Sequence, residues 1–180
     1  MPPGLDELEK AKMKLLVTYR SVTGNTKKIA EAVFGVLEGE KEIKPFRDVD
    51  TLEGYDFVFV GCPIEFFGVG KTTKKWLYKH IQGKRIGLFC THGAPELAPG
   101  VPIWTDALKD VATDAGAEIV NFFNCQGELS QKVLDMMSAD DDPYVRKLAS
   151  FGRDGSIGQP DEFRIEKARE FARRTMKKML

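Results

Sequence analysis

The stretch from residue 55 to residue 61, Tyr-Asp-Phe-Val-Phe-Val-Gly, constrains the fold more than any other part of the chain. It is short, almost wholly apolar, and rich in β-branched and aromatic residues, which is typical of a strand buried on both faces. Apolar runs at 15–19 and 85–90 have the same character, and each of the three runs is followed by a segment with helical spacing. Strands that alternate with helices predict a parallel sheet covered by helices on both faces.

The other segments extend this α/β pattern. We predict strands at about 15–19, 42–48, 55–61, 85–90 and 118–124, and helices at about 26–37, 71–81, 103–115 and 160–180. Pro45 suits an edge position for the second strand. Residues 127–158 form an extra segment before the last helix, with one helix near 130–137. We interpret residues 1–12 as an N-terminal extension, with Met13 as an alternative start, and residues 13–180 as a single domain.

Charge and cysteine content argue against several classes of function. The 27 Lys and Arg residues balance 27 Asp and Glu residues, so nothing favours nucleic acid or a membrane surface as the main partner. The apolar runs are too short to span a bilayer and the start of the chain lacks a signal peptide, so we expect a cytoplasmic protein. Cys62, Cys90 and Cys125 each end a central strand. Without a Cys-x-x-Cys pair, they predict small buried side chains and no metal site.

The loop Ser21-Val-Thr-Gly-Asn-Thr26 lies between the first strand and the first helix. Free backbone N–H groups and the positive end of the helix dipole favour a phosphate there. The hydroxyls of Ser21, Thr23 and Thr26 add donors, and Gly24 lets the backbone approach a ligand. The loop matches neither the Walker nor the dinucleotide-binding pattern. The alternative is that Ser21 or Asn25 caps the helix and the other hydroxyls form a turn.

Two further loops, 62–70 and 91–100, leave the carboxyl ends of central strands. In open parallel sheets these ends converge where the strand order reverses, and ligands bind there. The loop 62–70 carries Ile64, Phe66 and Phe67, which are apolar groups suited to flank a flat ring. The loop 91–100 carries small residues and His92. A phosphate at one end and a flat apolar slot at the other predict flavin mononucleotide (FMN) as the cofactor.

These motifs resemble those of the flavodoxin family. The sequence Ser21-x-Thr-Gly-Asn-Thr26 resembles the FMN phosphate loop of that family. The sequences 61–63 with Gly68, and 90–93, resemble its two ring-binding loops. The resemblance covers residues 13–126 and the last helix. It implies a flavodoxin-like three-layer sandwich with a five-stranded parallel sheet in the order 2-1-3-4-5. It also implies FMN-binding residues at Ser21, Val22, Thr23, Gly24, Asn25, Thr26, Pro63, Ile64, Glu65, Phe66, Phe67, Gly68, Thr91, His92 and Gly93.

The chain departs from the family in three respects. None of the three loops contains the Trp or Tyr that usually lies against the ring, the net charge is zero where flavodoxins are strongly acidic, and residues 127–158 are longer than the simplest members need. Gly68 is either a point where a peptide carbonyl can turn toward the flavin or an ordinary turn glycine. His92 is either a donor to the flavin or substrate, or a loop histidine bonded to backbone.

The resemblance implies a low-potential electron-transfer carrier. The alternative is an FMN-dependent NAD(P)H/quinone-type reductase acting on a small conjugated acceptor, with residues 127–158 shaping its pocket and His92 as the catalytic proton donor. A phosphate-binding regulatory domain of the same fold is a third interpretation, weakened because no phosphoacceptor Asp ends the first strand. The basic run from Lys71 to Arg85 predicts docking of an acidic redox partner such as a ferredoxin. Its alternative is an ordinary solvated helix face.

Overall fold

The computed structural model describes residues 12–179, and it contains the predicted parallel sheet. Its five long strands lie in the order β2–β1–β3–β5–β6, all parallel to their neighbours. These strands are β1 (Lys14–Tyr19), β2 (Glu40–Pro45), β3 (Phe57–Glu65), β5 (Arg85–His92) and β6 (Glu118–Gln126). The order matches the predicted 2-1-3-4-5 if the short additional strand β4 (Gly68–Val69) is not counted. Pro45 lies at the edge, as predicted.

Helices cover both faces of the sheet and form two cores. On one face, α1 (Asn25–Val36) packs beside α6 (Glu162–Lys178) over side chains such as Leu15, Val17 and Phe171. On the other face, α2 (Lys71–His80) and α3 (Val101–Asp114) cover Leu16, Val60 and Leu88. Adjacent residues of β1 thus point into different cores, which explains why the central strands are continuously apolar. The predicted three-layer sandwich is confirmed.

The region between the third strand and the second helix differs from the prediction of a loop at 62–70. Strand β3 continues to Glu65, and β4 (Gly68–Val69) returns antiparallel to it, with Ile64 opposite Val69 and Glu65 opposite Gly68. Phe66 and Phe67 therefore form the two-residue turn of a β-hairpin. A hairpin was not predicted because such turns usually carry Asn-Gly or a related pair.

The second strand begins and ends earlier than the predicted range of 42–48. It spans Glu40–Pro45, and Phe46–Asp48 form a short 3-10 turn. In this turn Phe46 stacks on Trp76 with ring centroids 3.9 Å apart.

The predicted extension at 1–12 lies outside the described residues apart from Lys12. None of the helices within residues 12–179 combines the length and apolar character needed to cross a membrane.

Residues 127–158 contain two helices, where one was predicted. Helix α4 (Gln131–Ser138) begins after Ser130, whose hydroxyl accepts a hydrogen bond from the Val133 N–H. Helix α5 (Pro143–Gly155) begins after Asp142, which caps it, and has proline at its first position. The glycines near its end concealed this second helix from sequence patterns. The two helices pack on each other and follow β6 in the chain.

Candidate functional site

The first loop leads into a helix whose first turn is open. Gly24 precedes α1 with φ of +98°, a left-handed conformation that glycine adopts without strain. Among the described residues no side chain caps this helix, and its first turn contains no acidic residue. The Ser21 hydroxyl instead accepts from the Gly24 N–H at 3.1 Å. The capping interpretation is therefore wrong, and the helix N-terminus can receive an anion.

The side chains of the first loop connect it to distant parts of the chain. The Asn25 amide donates to the Glu128 carbonyl at 2.9 Å and to the Thr23 hydroxyl at 3.2 Å. The Thr26 hydroxyl is buried and lies 2.8 Å from that of Thr91. If Thr91 donates in this pair, the Thr26 hydroxyl keeps its own proton for a ligand. The structure thus joins the predicted first and third loops.

The hairpin turn holds two consecutive phenylalanines in an unfavourable conformation. Phe66 and Phe67 have φ values of +48° and +60°, and such conformations cost about 1–3 kcal/mol each in a non-glycine residue. Phe66 is 83% exposed, whereas Phe67 lies 5.5 Å from the ring of Trp104. Only Phe67 of this pair therefore faces an aromatic neighbour. Phe66 is therefore both strained and exposed, and no packing within residues 12–179 explains its conformation.

The base of the hairpin is fixed by an ion pair. Arg20 Nη1 lies 2.7 Å from Glu65 Oε2, which links the end of β1 to the end of β3. The Glu65 carboxylate also lies against Gly70, where a Cβ atom would be only 2.0 Å away. Ile64 packs against the core under α2 and α3. Glu65 and Ile64, both predicted to contact the cofactor, are thus engaged with the protein itself.

The third loop is held from several directions. His92 is 4% exposed, with Nδ1 2.8 Å from the Ala94 carbonyl and Nε2 2.8 Å from the Asn124 side-chain oxygen. Both ring nitrogens therefore face acceptor oxygens of the protein. The contact with the Ala94 carbonyl fits the alternative of a histidine bonded to backbone, although His92 is buried at the end of β5. At Gly93 a Cβ atom would lie 2.2 Å from Leu129, so the segment after β6 rests directly on this loop.

Trp104 is the site residue that sequence reasoning missed. It lies in the first turn of α3, with its ring over Gly100, 5.5 Å from the Phe67 ring and 6.3 Å from that of His92. The three loops themselves carry no Trp or Tyr, and Trp104 lies just beyond the third. Its position four residues after Gly100, at the start of the following helix, was the available signal. We call Phe67 and Trp104 the aromatic pair.

The three cysteines are buried, as predicted, but each lies within its strand and does not end it, since β3, β5 and β6 continue beyond them. Cys62 pairs with Cys90 across β3 and β5, and Cys125 lies opposite Thr91. Burial raises the pKa of the Cys62 and Cys125 thiols to about 12, and that of Cys90 well above its ordinary value. Within residues 12–179 no group of three or more His, Cys, Asp or Glu side chains is placed to hold a metal ion.

A charged contact links the third loop to the last helix. Arg164 in α6 donates two hydrogen bonds to the Glu96 carboxylate, one from Nε to Oε1 and one from Nη2 to Oε2 at 2.8 Å, and the Gln126 N–H donates to the same carboxylate at 3.0 Å. Burial tends to raise the pKa of Glu96, but the hydrogen bonds from Arg164 and Gln126 outweigh it and hold the pKa below its usual value.

Replacing Glu96 with Gln is therefore expected to lower the free energy of unfolding by about 1–3 kcal/mol near neutral pH. Because the folded-state pKa lies below the ordinary value of 4.5, the contribution of Glu96 is present above that value and lost as pH falls through the lowered pKa. Urea denaturation at neutral and acid pH measures this difference. Glu170→Gln, which breaks an exposed pair with Lys167, is the control and should change stability by less than about 1 kcal/mol. An equal loss for Glu96→Gln at acid pH would contradict the ion-pair role.

The site therefore combines an open helix N-terminus lined by hydroxyls with an aromatic pair at the hairpin turn and the start of α3. The first feature suits a phosphate monoester and the second a flat conjugated ring. A separate groove of about 540 Å³ runs between β6 and α6, lined by residues such as Phe122, Phe163 and Arg174. That groove involves neither the first loop nor the aromatic pair, so we do not place the cofactor there.

Comparison with known proteins gives a consistent result. The family model of the flavodoxin domain matches residues 16–173. The flavodoxin-like domain-containing protein BilS of Clostridioides difficile is 33% identical over 173 residues, covering 91% of this chain and 97% of BilS. Oxidised flavodoxin 2 of Bacillus cereus is 19% identical, with a TM-score of 0.58 over 93% of this chain and 99% of that one. The flavodoxin of Fusobacterium nucleatum, solved with FMN, is 13% identical, with a TM-score of 0.55 over 92% and 98%.

Proposed function

The chain belongs to the flavodoxin domain family, and from this premise we propose that it binds FMN and serves as an electron-transfer carrier. The observation that carries the proposal is the uncapped N-terminus of α1 behind the hydroxyl-rich loop at 21–26. A dianionic phosphate would satisfy the open N–H groups there, which no side chain within residues 12–179 caps. The aromatic pair beside the neighbouring loops supports a flat ring as the other end of the ligand.

The residues of this chain would bind and orient the cofactor. FMN, when bound, supplies one- and two-electron chemistry. The N–H groups after Gly24 and the hydroxyls of Ser21, Thr23 and Thr26 would hold the phosphate. Phe67 and Trp104 would hold the ring and exclude water from it. Backbone groups at 63–68 and 91–93 would line its polar edge, since the side chains of Glu65 and His92 have partners within the protein.

The proposal is tested by supplying FMN to the purified protein and recording the visible spectrum after gel filtration. We expect a bound flavin band in stoichiometric amount, and a protein that emerges without flavin contradicts the proposal. The bound flavin should turn over slowly with NADH or NADPH and a quinone when no partner protein is present. Rapid turnover under those conditions favours the reductase instead.

The reductase, an FMN-dependent NAD(P)H/quinone-type enzyme, is the second candidate. The contacts of Leu129 with Gly93 and of Asn25 with the Glu128 carbonyl favour it, because they place residues 127–130 against two loops of the site. The burial of His92 argues against that residue as its proton donor, since both ring nitrogens face oxygen atoms of the protein. We therefore regard the carrier as better supported.

Tryptophan fluorescence offers a direct test of ring placement, because the chain contains two tryptophans. Trp76 is 8% exposed and stacks on Phe46, whereas Trp104 belongs to the aromatic pair. FMN is expected to quench Trp104, so Trp104→Leu should lose most of the quenching and bind FMN about 3–10-fold more weakly. Trp76→Phe is the control and should keep the quenching. Undiminished quenching in Trp104→Leu would place the ring elsewhere.

A further inference from the structure

Helix α2 begins with lysines that its own stability does not explain. Three of its first five residues are lysines, and Lys71, Lys74 and Lys75 are all exposed. Across residues 12–179 no acidic side chain forms an ion pair with any of them. The N-terminus is the positive end of the helix dipole, so cations there are unfavourable. Their position points to a partner outside the chain.

An exposed apolar group precedes these lysines in the chain, at the tip of the hairpin that leads into α2. Phe66 at the hairpin tip is 83% exposed and strained, and the hairpin base lies against Gly70 at the start of α2. Strand β4 of the same hairpin packs on α3, where Ile103 is 70% exposed next to Trp104. We call Phe66, Ile103, Lys71, Lys74 and Lys75 the docking face. It adjoins the aromatic pair and therefore the expected ring edge.

We propose that the docking face binds an acidic protein surface, with Phe66 as the apolar centre and the lysines as the rim, and that electrons pass to or from the cofactor there. This deepens the proposed function and rests on it. Protein interfaces combine a desolvated apolar or aromatic centre with a polar rim, and complementary charge speeds and orients encounter. Phe66 is held in a strained turn without burying its ring in the protein, which fits a residue kept for an external contact.

The charge distribution favours a protein over a polyanion such as nucleic acid. The chain as a whole has no net charge, with 27 basic and 27 acidic residues, and the free lysines of the docking face are confined to one helix start. Binding to nucleic acid depends on neutralising many phosphates along an extended surface. A compact acidic patch on another protein matches the small face better, and it can approach the aromatic pair closely.

The experiment titrates the full chain with an acidic plant-type [2Fe–2S] ferredoxin by calorimetry at low and high ionic strength. The variant Lys71→Ala/Lys74→Ala/Lys75→Ala should bind at least about tenfold more weakly at low salt and lose most of the salt dependence. The control is Lys132→Ala/Arg153→Ala/Lys177→Ala, which removes the same charge from exposed residues on α4, α5 and α6. It should stay within about twofold of the wild type.

Phe66→Asn separates a binding role from a structural one. Asn tolerates the left-handed conformation at this turn position, so the thermal midpoint should rise while the affinity for ferredoxin falls several-fold. Phe151→Asn, at an exposed ring on α5, should leave the affinity unchanged. A Phe66→Asn protein that is more stable and binds ferredoxin as well as the wild type would overturn the role of Phe66.

Other outcomes decide the rest of the proposal. Equal losses in the two triple variants would show a response to net charge and overturn the docking face. The docking face would also be overturned if these lysines bound phosphatidylserine vesicles or a single-stranded oligonucleotide but not ferredoxin. The visible spectrum of the same samples measures separately whether FMN is bound. A flavin-loaded chain that does not bind ferredoxin overturns the docking proposal alone, whereas a flavin-free chain that binds it through these lysines supports docking and overturns the proposed function.

Discussion

Replacing Thr23 with Ala and Thr26 with Val is expected to weaken FMN binding by about 100-fold or more. Each hydroxyl would donate to a dianionic phosphate, and a hydrogen bond to a charged group contributes about 1.5–3 kcal/mol. Two such bonds correspond to at least about 100-fold in affinity. Val suits position 26 because Thr26 is 1% exposed and valine keeps its buried volume, whereas Thr23 is exposed and Ala suffices there.

Riboflavin is the matched control ligand for this prediction, because it shares the ring of FMN and lacks the phosphate. Fluorescence titration of the double variant should show riboflavin affinity within about threefold of the wild type, since loss of the contact between Thr26 and Thr91 affects both ligands alike. Thr113→Ala, at an exposed position on α3, should change neither affinity. Equal losses of FMN and riboflavin would show that the loop at 21–26 does not hold the phosphate.

Gly61→Ala is expected to lower the free energy of unfolding by about 1–3 kcal/mol or more, because it overpacks the centre of the sheet. Gly61 in β3 lies opposite Phe89 in β5. A Cβ atom at position 61 would be 2.1 Å and 2.2 Å from Phe89 Cε2 and Cζ. Phe89 is fully buried and packs near Phe171 of α6, so its ring has little room to move. Chemical denaturation measures the loss.

Two further variants test this explanation. Gly61→Ala combined with Phe89→Leu should recover part of the lost stability, because leucine removes the atoms that clash. Gly35→Ala is the matched control, since nothing lies within 4 Å of a Cβ atom there and Gly35 is in helix α1. That change should stabilise the protein by about 0.5–1 kcal/mol. If Gly61→Ala and Gly35→Ala changed the free energy of unfolding equally, the close approach of Phe89 would not be the cause of the loss.

The sequence was informative where local pattern and packing agree. The run at 55–61 predicted a strand buried on both faces because its residues point alternately into two cores, and this is how β3 lies. The loop at 21–26 was placed correctly between β1 and α1 because strand and helix periodicity change there. These features depend on neighbours in sequence, so they can be inferred from one chain.

The remaining features depend on contacts between distant residues. The hairpin at 66–67 carries no Asn-Gly signal, and it is held by Arg20 against Glu65 and by Trp104 against Phe67. Trp104 reaches the site only because α3 packs beside β4. The direction of the Glu65 and His92 side chains likewise follows from partners that local sequence does not reveal. Tertiary contacts of this kind override local preference.

The hydrogen bond from Asn25 to the Glu128 carbonyl has a consequence for biosynthesis. The two residues are 103 positions apart, and translation adds about 5–20 residues per second, so the first loop is made about 5–20 s before its partner. Helix α6, which packs beside α1, is made later still. The contacts that complete the first loop therefore form only late in synthesis, and under the proposed function FMN would bind only near its completion.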